Sequence, residues 1–289
     1  MLTNFENNII NHSGDAGRQW LAQLPHIVKH LSFEWALTNV IPVGNMSWNF
    51  IVLADSVKFG KVCLKIGIDS HLICEESKAL KFFDGQAMVR LISCNSHHNA
   101  LLLEQIIPGK TLKQVADKNV NLVFENYVHI IDTLQDKATT FPVPDFKSVR
   151  DWFMVFDHLP LDALPDNFIP KAKKLSEILL SKSGSQVFLH GDLHLDNILS
   201  NKDSWVAIDP KRVIGPKEFE MAAFDFLSPQ QQTRTLLVSR VHQIAYLAKI
   251  DPQVLLGWVF VRLVLKACWM LEDNGDPAPF LNQLSLIQC

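Results

Sequence analysis

The residues whose types and spacing best suit chemistry lie between positions 187 and 210, where short apolar runs alternate with polar turns. The first run leads into a turn that contains Asp192, the second begins at Asn197, and the third stops at Asp209. Short apolar runs bounded by turn residues are typical of strands that hold polar side chains at the edge of a core. Two carboxylates and an amide held in this way suit a magnesium-nucleotide site.

Asp192 precedes Asn197 by the spacing D-x-x-x-x-N, which also occurs in the catalytic loop of protein kinases. In that loop the aspartate accepts the proton of the attacking hydroxyl and the asparagine binds magnesium. The spacing alone also fits a polar hairpin whose Asp and Asn only make turn hydrogen bonds. The strand context, the second aspartate at Asp209 and an upstream lysine, Lys65, favour the chemical interpretation.

Lys65 lies in an apolar run between Leu64 and Ile66. A lysine in such a strand needs an anionic partner or a ligand. The alternative is an edge lysine whose aliphatic stem covers apolar surface while its ammonium group reaches water.

The histidines of the same stretch allow two further interpretations. His190 and His194 have the spacing H-x-x-x-H found in zinc hydrolases, but that motif needs a helix and a glutamate after the first histidine. Gly191 follows His190 here, in a strand-to-turn context, so a zinc site is disfavoured. We expect His190 to hydrogen-bond its own loop, whereas for His194 a contact with a transferred phosphoryl group and a contact with nearby backbone remain equally open.

Size and composition limit the classes of protein. The 289 residues suffice for about two domains, the net charge of −3 gives no basic field for nucleic acid, and the mean hydropathy of +0.10 predicts an ample core. Five cysteines without framework spacing predict buried free thiols in a reducing cytosol. The N-terminal residues do not resemble a signal peptide. We therefore expect a cytoplasmic protein, monomeric or dimeric.

One segment, 254–271, has the apolar character of a membrane span. Arg262 and Lys266 interrupt it one helical turn apart, and charges are costly at the centre of a bilayer. We therefore expect a buried helix and no membrane association.

The order of elements predicts two parts. A helix over 18–31 is followed by a strand-like pattern over 33–51, further strands over 87–92 and 101–107, and a helix over 71–83. After Pro108 and Gly109 the pattern is helical apart from the strand-rich centre at 187–209. These helices are predicted over 111–118, 121–137, 148–158, 168–181, 217–228, 233–249, 253–272 and 278–287. We therefore expect an α+β protein with a small antiparallel β-rich lobe (1–104) and a larger, mainly helical lobe (105–289).

The string H-G-D-L-H-L-D-N followed by I-D-P resembles the signature of the aminoglycoside phosphotransferases, which share a bilobal, protein-kinase-like fold. Three longer strings resemble the streptomycin 6-kinase and hydroxyurea kinase branch: L-L-L-E-Q-I-I-P-G-K-T-L, W-V-A-I-D-P-K-R-V-I-G-P and A-C-W-M-L-E-D-N-G-D-P. The resemblance implies ATP- and magnesium-dependent phosphorylation of a hydroxyl group on a small molecule. The expected substrate is an aminoglycoside of the streptomycin type, and the alternative is hydroxyurea or another small metabolite. A nucleotide-binding module without catalysis is the alternative of a different class.

The resemblance also implies roles for individual residues. Asp192 would be the catalytic base or the group that orients the substrate hydroxyl, and Asn197 and Asp209 would hold magnesium. His194, the second catalytic candidate, stands where protein kinases carry a lysine near the transferred phosphate. The implied nucleotide-binding residues are Lys65, a glutamate that pairs with it (Glu76, or else Glu75), the hinge residues Glu104 and Ile106, and Gly44 and Ser47 in a phosphate loop with a single glycine. Glu220 stands where the family suggests aspartate, and we expect it to be structural. For a cationic aminocyclitol substrate, the acidic candidates are Glu272, Asp273 and Asp276.

Overall fold

The protein divides into two compact units, Met1–Gly109 and Lys110–Cys289. A computed structural model describes residues 3–44, 46–116, 120–140, 146–184, 186–227 and 232–287. The division falls at Gly109, whereas the sequence placed it after residue 104.

Unit 1 combines two helices with an antiparallel sheet. Its elements are α1 (Asn4–Glu34), β1 (Leu37–Pro42), β2 (Phe50–Ser56), β3 (Gly60–Ile66), α2 (Ser70–Phe83), β4 (Leu91–Asn95) and β5 (Ala100–Glu104). The five strands have the order β1-β2-β3-β5-β4. The β2–β3 hairpin aligns Leu53 with Cys63 and turns through Gly60, whose φ of 77° lies in the region that glycine adopts without strain.

The core of unit 1 lies between α1 and the sheet. Leu24, Ile27 and Leu31 recur at helical spacing and are buried in the same cluster as Val52 and Leu64 of the central strands. Full burial of each such side chain contributes about 1.5–3 kcal/mol relative to exposure. This packing holds the middle strand, β3, firmly in place.

Unit 2 is mainly helical. After β6 (Pro108–Thr111), which crosses the division, its helices are α3 (Leu112–Ala116), α4 (Val120–Thr140), α5 (Val149–Phe153), α6 (Val155–His158), α7 (Phe168–Lys182), α8 (Lys217–Met221), α9 (Arg234–Ala248), α10 (Pro252–Glu272) and α11 (Ala278–Ile287). Its short strands are β7 (Lys147–Ser148), β8 (Val187–Leu189), β9 (Ile198–Asn201), β10 (Ser204–Ala207) and β11 (Val213–Gly215), and 3₁₀ turns cover Pro165–Asn167 and Leu195–Asn197. The strands expected between residues 187 and 209 are therefore present.

Helix α10 is long and apolar enough to cross a bilayer by length and composition. It packs within unit 2 against α6, α7, α8, α9 and α11. Trp258, Val261 and Leu265 on this helix are fully buried, and Arg262 is only 3% exposed. The packing is that of a core helix that contains a buried charged residue, Arg262.

The structure corrects three element predictions. The first helix spans Asn4–Glu34 instead of 18–31, with a kink at Gly14, because a capping box between Thr3 and Glu6 starts it much earlier. The helix expected over 217–228 ends at Met221, and the backbone then turns. Strand β4 begins at Leu91 instead of residue 87, after the turn that follows α2.

The prediction of buried thiols is wrong for two cysteines. Cys74 and Cys94 are exposed, Cys63 is partly exposed, and Cys268 is buried. Cys74 lies on the outer face of α2 and Cys94 on an outward position of β4, so apolar neighbours in sequence did not imply burial. Cys289 lies outside the described residues.

Candidate active site

The turn that contains Asp192 is held by strand pairing on one side. Strand β8 pairs with β11, and the backbone N–H of Lys211 donates to the carbonyl oxygen of His190 at 2.6 Å. The chain after β8 therefore lies beside the segment that follows β10. Asp192, two residues after His190, is carried on this fixed backbone.

His190 is a structural residue of the loop, as expected. It is 1% exposed, its Nε2 lies 2.7 Å from the carbonyl oxygen of Ile208, and its Nδ1 accepts the N–H of Asp192 at 3.2 Å. With both ring nitrogens used by backbone, the geometry fits a neutral imidazole with hydrogen on Nε2 and leaves no atom for zinc. Burial lowers the pKa of His190 to about 4.

This lowered pKa predicts a loss of stability in acid. The unfolded chain binds a proton near pH 6.5 but the folded chain only near pH 4, so stability is fully present above pH 6.5 and falls as the pH drops towards 4. The loss attributable to His190 is expected to reach about 3 kcal/mol. Denaturant unfolding of wild type and His190→Gln at several pH values measures it. An equally steep loss in the variant would contradict the assignment.

Asn197 and Asp209 are brought together by the β9–β10 hairpin. Ala207 is aligned with Ile198, and the N–H of Ile208 donates to the carbonyl oxygen of Asn197 at 2.9 Å, so Asp209 follows directly beyond the paired residues. The Asn197 amide nitrogen donates to the carbonyl oxygen of Asp192 at 2.9 Å, which leaves the amide oxygen as the ligand atom. This oxygen and the carboxylate of Asp209 form a hard donor set that fits magnesium.

Asp209 has a φ of 62°, a left-handed conformation that is uncommon for residues other than glycine. Its carboxylate accepts from the Nζ of Lys211 at 3.0 Å. Because strained backbone persists only where the surrounding structure enforces it, this conformation supports a functional role for Asp209.

Three basic side chains lie within 4.0 Å of the carboxylate of Asp192. Arg262 Nη2 lies 3.8 Å and Lys266 Nζ 4.0 Å from its Oδ1, and His194 Nε2 lies 4.0 Å from its Oδ2. Burial raises the pKa of Asp192, but Lys266, His194, Arg262 and Lys211 together lower it more, so the net shift is downward. The carboxylate is therefore ionised at neutral pH and able to accept a proton.

A second group of ligand-type side chains lies beside the loop. Donor atoms of His194, Asp196 and Asp225 all lie within 4.8 Å of one another. Asp196 pairs with Lys113 at 2.7 Å, and Asp225 accepts the N–H of Leu195 at 3.2 Å. Lys113 and the N–H of Leu195 are thus partners of these two carboxylates.

Lys65 and Glu76 form a buried ion pair in unit 1. Lys65 Nζ lies 2.8 Å from Oε1 and 2.7 Å from Oε2 of Glu76, and both residues are 6% exposed. The neighbouring Glu75 instead pairs with Lys78 at 2.8 Å on the outer face of α2. Of the two glutamates considered from the sequence, Glu76 is thus the one in contact with Lys65.

A family model described as aminoglycoside/hydroxyurea antibiotic resistance kinase matches residues 60–274. The chain belongs to this family. It is 23% identical to streptomycin 6-kinase from Streptomyces glaucescens over 92% of this chain and 90% of that protein. It is also 23% identical to hydroxyurea phosphotransferase from Kitasatospora aureofaciens over 93% of this chain and 80% of that protein.

Among solved structures, an amicoumacin kinase in complex with AMP-PNP, Ca²⁺ and Ami superposes with a TM-score of 0.67 at 12% identity, covering 91% of both chains. The predicted bilobal, protein-kinase-like α+β fold is therefore confirmed. The chain is a small-molecule phosphotransferase of an antibiotic-resistance family.

The remaining nucleotide-side candidates of this kinase lie in loops or at a strand end. Gly44 and Ser47 are exposed between β1 and β2, where the carbonyl oxygen of Ser47 accepts from Asn8 at 3.1 Å. Their neighbour Asn45 lies outside the described residues. Glu104 ends β5 and its carboxylate accepts the N–H of Arg90 at 2.9 Å, while Ile106 is 9% exposed just beyond the strand.

The acidic substrate candidates lie at the end of α10 and just beyond it. Glu272, Asp273 and Asp276 are exposed, and Asp276 accepts the N–H of Ala278 at 2.9 Å, at the start of α11. The residues that sequence reasoning missed are on the same helix: Arg262 and Lys266, which had served only to argue against a membrane span. Their signal was two cations four residues apart in an otherwise apolar helix.

Proposed function

We propose that this kinase transfers the γ-phosphoryl group of ATP to a hydroxyl of an aminoglycoside of the streptomycin type. The observation that supports this most is the environment of Asp192. Basic neighbours keep its carboxylate ionised, and the Asn197 amide donates a hydrogen bond to its backbone carbonyl oxygen. The similarity to streptomycin 6-kinase over most of both chains supports the substrate class. Dependence on ATP also fits a cytoplasmic location.

In this proposal Asp192 orients the attacking hydroxyl and accepts its proton, which is the role of the aspartate in D-x-x-x-x-N loops. His194 Nε2 lies 4.0 Å from the Asp192 carboxylate, beside which the hydroxyl attacks, and donates a hydrogen bond to the transferred phosphoryl group. Lys65, held by Glu76, binds phosphate oxygens. Asn197 and Asp209 hold magnesium, which when bound neutralises charge on the phosphates. Gly44, Ser47, Glu104 and Ile106 contribute to the nucleotide site.

The test is ATP-dependent phosphate transfer to a panel of acceptors. The release of ADP and the mass of the product are measured. Streptomycin, other aminoglycosides, hydroxyurea and simple hydroxylated compounds form the panel. A phosphorylated streptomycin with a single modified hydroxyl is expected. Tight binding of magnesium-ATP without transfer to any acceptor would contradict catalysis.

One observation favours hydroxyurea as a second candidate substrate. Arg262 and Lys266 lie within 4.0 Å of Asp192. Both side chains would repel a cationic group of a substrate bound beside Asp192. A neutral acceptor avoids this repulsion, whereas an aminocyclitol must keep its cationic groups away from the reacting hydroxyl. A higher kcat/KM for hydroxyurea than for streptomycin would support this alternative.

Replacing Asp209 with asparagine is expected to weaken magnesium-dependent nucleotide binding by about 10-fold or more, because the anionic ligand is lost. Calorimetric titration of ATP with and without magnesium measures the effect. Asp203→Asn, at the exposed tip of the same hairpin, is the matched control. If Asp209→Asn retained the magnesium dependence of wild type, the metal assignment would be wrong.

A further inference from the structure

Gly191, the residue before Asp192, is held at both of its backbone polar groups by buried charged side chains. Its N–H lies 3.0 Å from Oε2 and 3.3 Å from Oε1 of Glu220, and its carbonyl oxygen accepts from Nη2 of Arg262 at 2.5 Å. Glu220 is 2% and Arg262 3% exposed. The Glu220 side chain thus holds the N–H of Gly191, and the Arg262 side chain holds its carbonyl group.

The backbone at Gly191 has little freedom to respond to a change. Its φ is 87°, and an added Cβ would lie 2.8 Å from Val213 and 2.9 Å from Trp152. Because Gly191 directly precedes Asp192, its orientation sets the direction in which the Asp192 carboxylate points.

Contacts with Phe219 orient the guanidinium group of Arg262 for this hydrogen bond. Its guanidinium carbon lies 4.6 Å from the centroid of the Phe219 ring, and Nη1 lies 3.5 Å from the Phe219 carbonyl oxygen. Burying a charged group costs free energy that apolar residues of similar size do not incur. An arginine in the core of α10 is therefore better explained by directed hydrogen bonds than by packing.

We propose that Arg262 is a positioning residue for phosphoryl transfer: it fixes the Gly191 carbonyl group and thereby the carboxylate of Asp192. The inference rests on the proposed function of Asp192. Lys266 lies one helical turn further along α10 and 4.0 Å from the same carboxylate oxygen, but it makes no hydrogen bond to the Gly191 backbone among the described residues. Lys266 is therefore the matched control: it places a positive charge near Asp192 without holding the Gly191 backbone.

The test measures kcat, both KM values and amide hydrogen exchange across residues 188–196. Arg262→Met is expected to lower kcat by about 100-fold, the effect of a misplacement near 1 Å, while the KM values for ATP and acceptor change little. Arg262→Lys keeps a charge near Glu220 and should lose less activity. Exchange in this segment should accelerate in both Arg262 variants and stay at the wild-type rate in Lys266→Met.

Wild-type kcat and wild-type exchange in Arg262→Lys would overturn the inference, as would equal acceleration of exchange in Lys266→Met. If Arg262→Met does not fold, Arg262→Lys and Lys266→Met still decide the outcome. Because exchange is measured without an acceptor, it tests the contact even if the enzyme phosphorylates none of the panel. A failure of the proposed function is thus distinguishable from a failure of this inference.

Discussion

Asp192→Asn is expected to lower kcat by about 100- to 10,000-fold, the usual contribution of a positioned proton acceptor. Asparagine has nearly the same shape and can still lie beside Arg262 and Lys266, but its amide group cannot take the proton of the attacking hydroxyl. The affinity for ATP is expected to change little, because in this proposal Asn197 and Asp209 hold the metal. Steady-state kinetics with the best acceptor and calorimetric titration of ATP separate the two effects.

The matched control is Asp196→Asn, in the same turn and four residues away. Asp196 pairs with Lys113 near the surface, and an exposed pair of this kind contributes at most about 1 kcal/mol to stability. Its replacement should leave kcat close to the wild-type value. An unchanged kcat in Asp192→Asn would remove Asp192 from the catalytic step.

Glu76→Leu is expected to destabilise unit 1 by about 3–5 kcal/mol, because Lys65 loses the carboxylate that accompanies it in a buried position. Both side chains are 7% exposed, so water does not replace the lost partner. The free energy of unfolding in denaturant, followed by circular dichroism, measures the effect. The affinity for ATP should fall as well, since Lys65 is then no longer oriented.

A double variant separates the ion pair from the packing. Lys65→Met with Glu76→Leu removes both charges and should recover much of the lost stability, since apolar residues often replace a buried pair without cost. Glu75→Gln, which removes the charge that pairs with Lys78, is the control and should cost less than about 1 kcal/mol. A double variant as unstable as Glu76→Leu would show that the carboxylate acts through packing and not through its charge.

The local structure of the candidate catalytic segment was predictable from sequence because its organisation is local. Short apolar runs ended by polar residues specify the β8 turn and the β9–β10 hairpin, and hairpin pairing alone brings Asn197 next to Asp209. The resemblance to the family likewise indicated Glu76, on the helix that follows β3, as the partner of Lys65 11 residues away. In these places neighbours in sequence are also neighbours in space.

Other features depend on contacts that no local pattern contains. The cysteine exposures follow from which face of each element the rest of the chain covers. For the cysteines, tertiary packing overrides local hydrophobicity. The early start of the first helix is different, because its capping box between Thr3 and Glu6 is a local signal that lies before the apolar periodicity.

Residue types at short spacings were enough to indicate the family, the candidate catalytic motif and the type of fold. Only the tertiary structure showed what holds the motif in place. Arg262 reaches the Gly191 carbonyl group from 71 residues away, and Lys266 approaches Asp192 from the same helix face. The physical reason is that a buried charge is stabilised by partners that folding brings together, and an apolar helix pattern does not reveal where those partners lie.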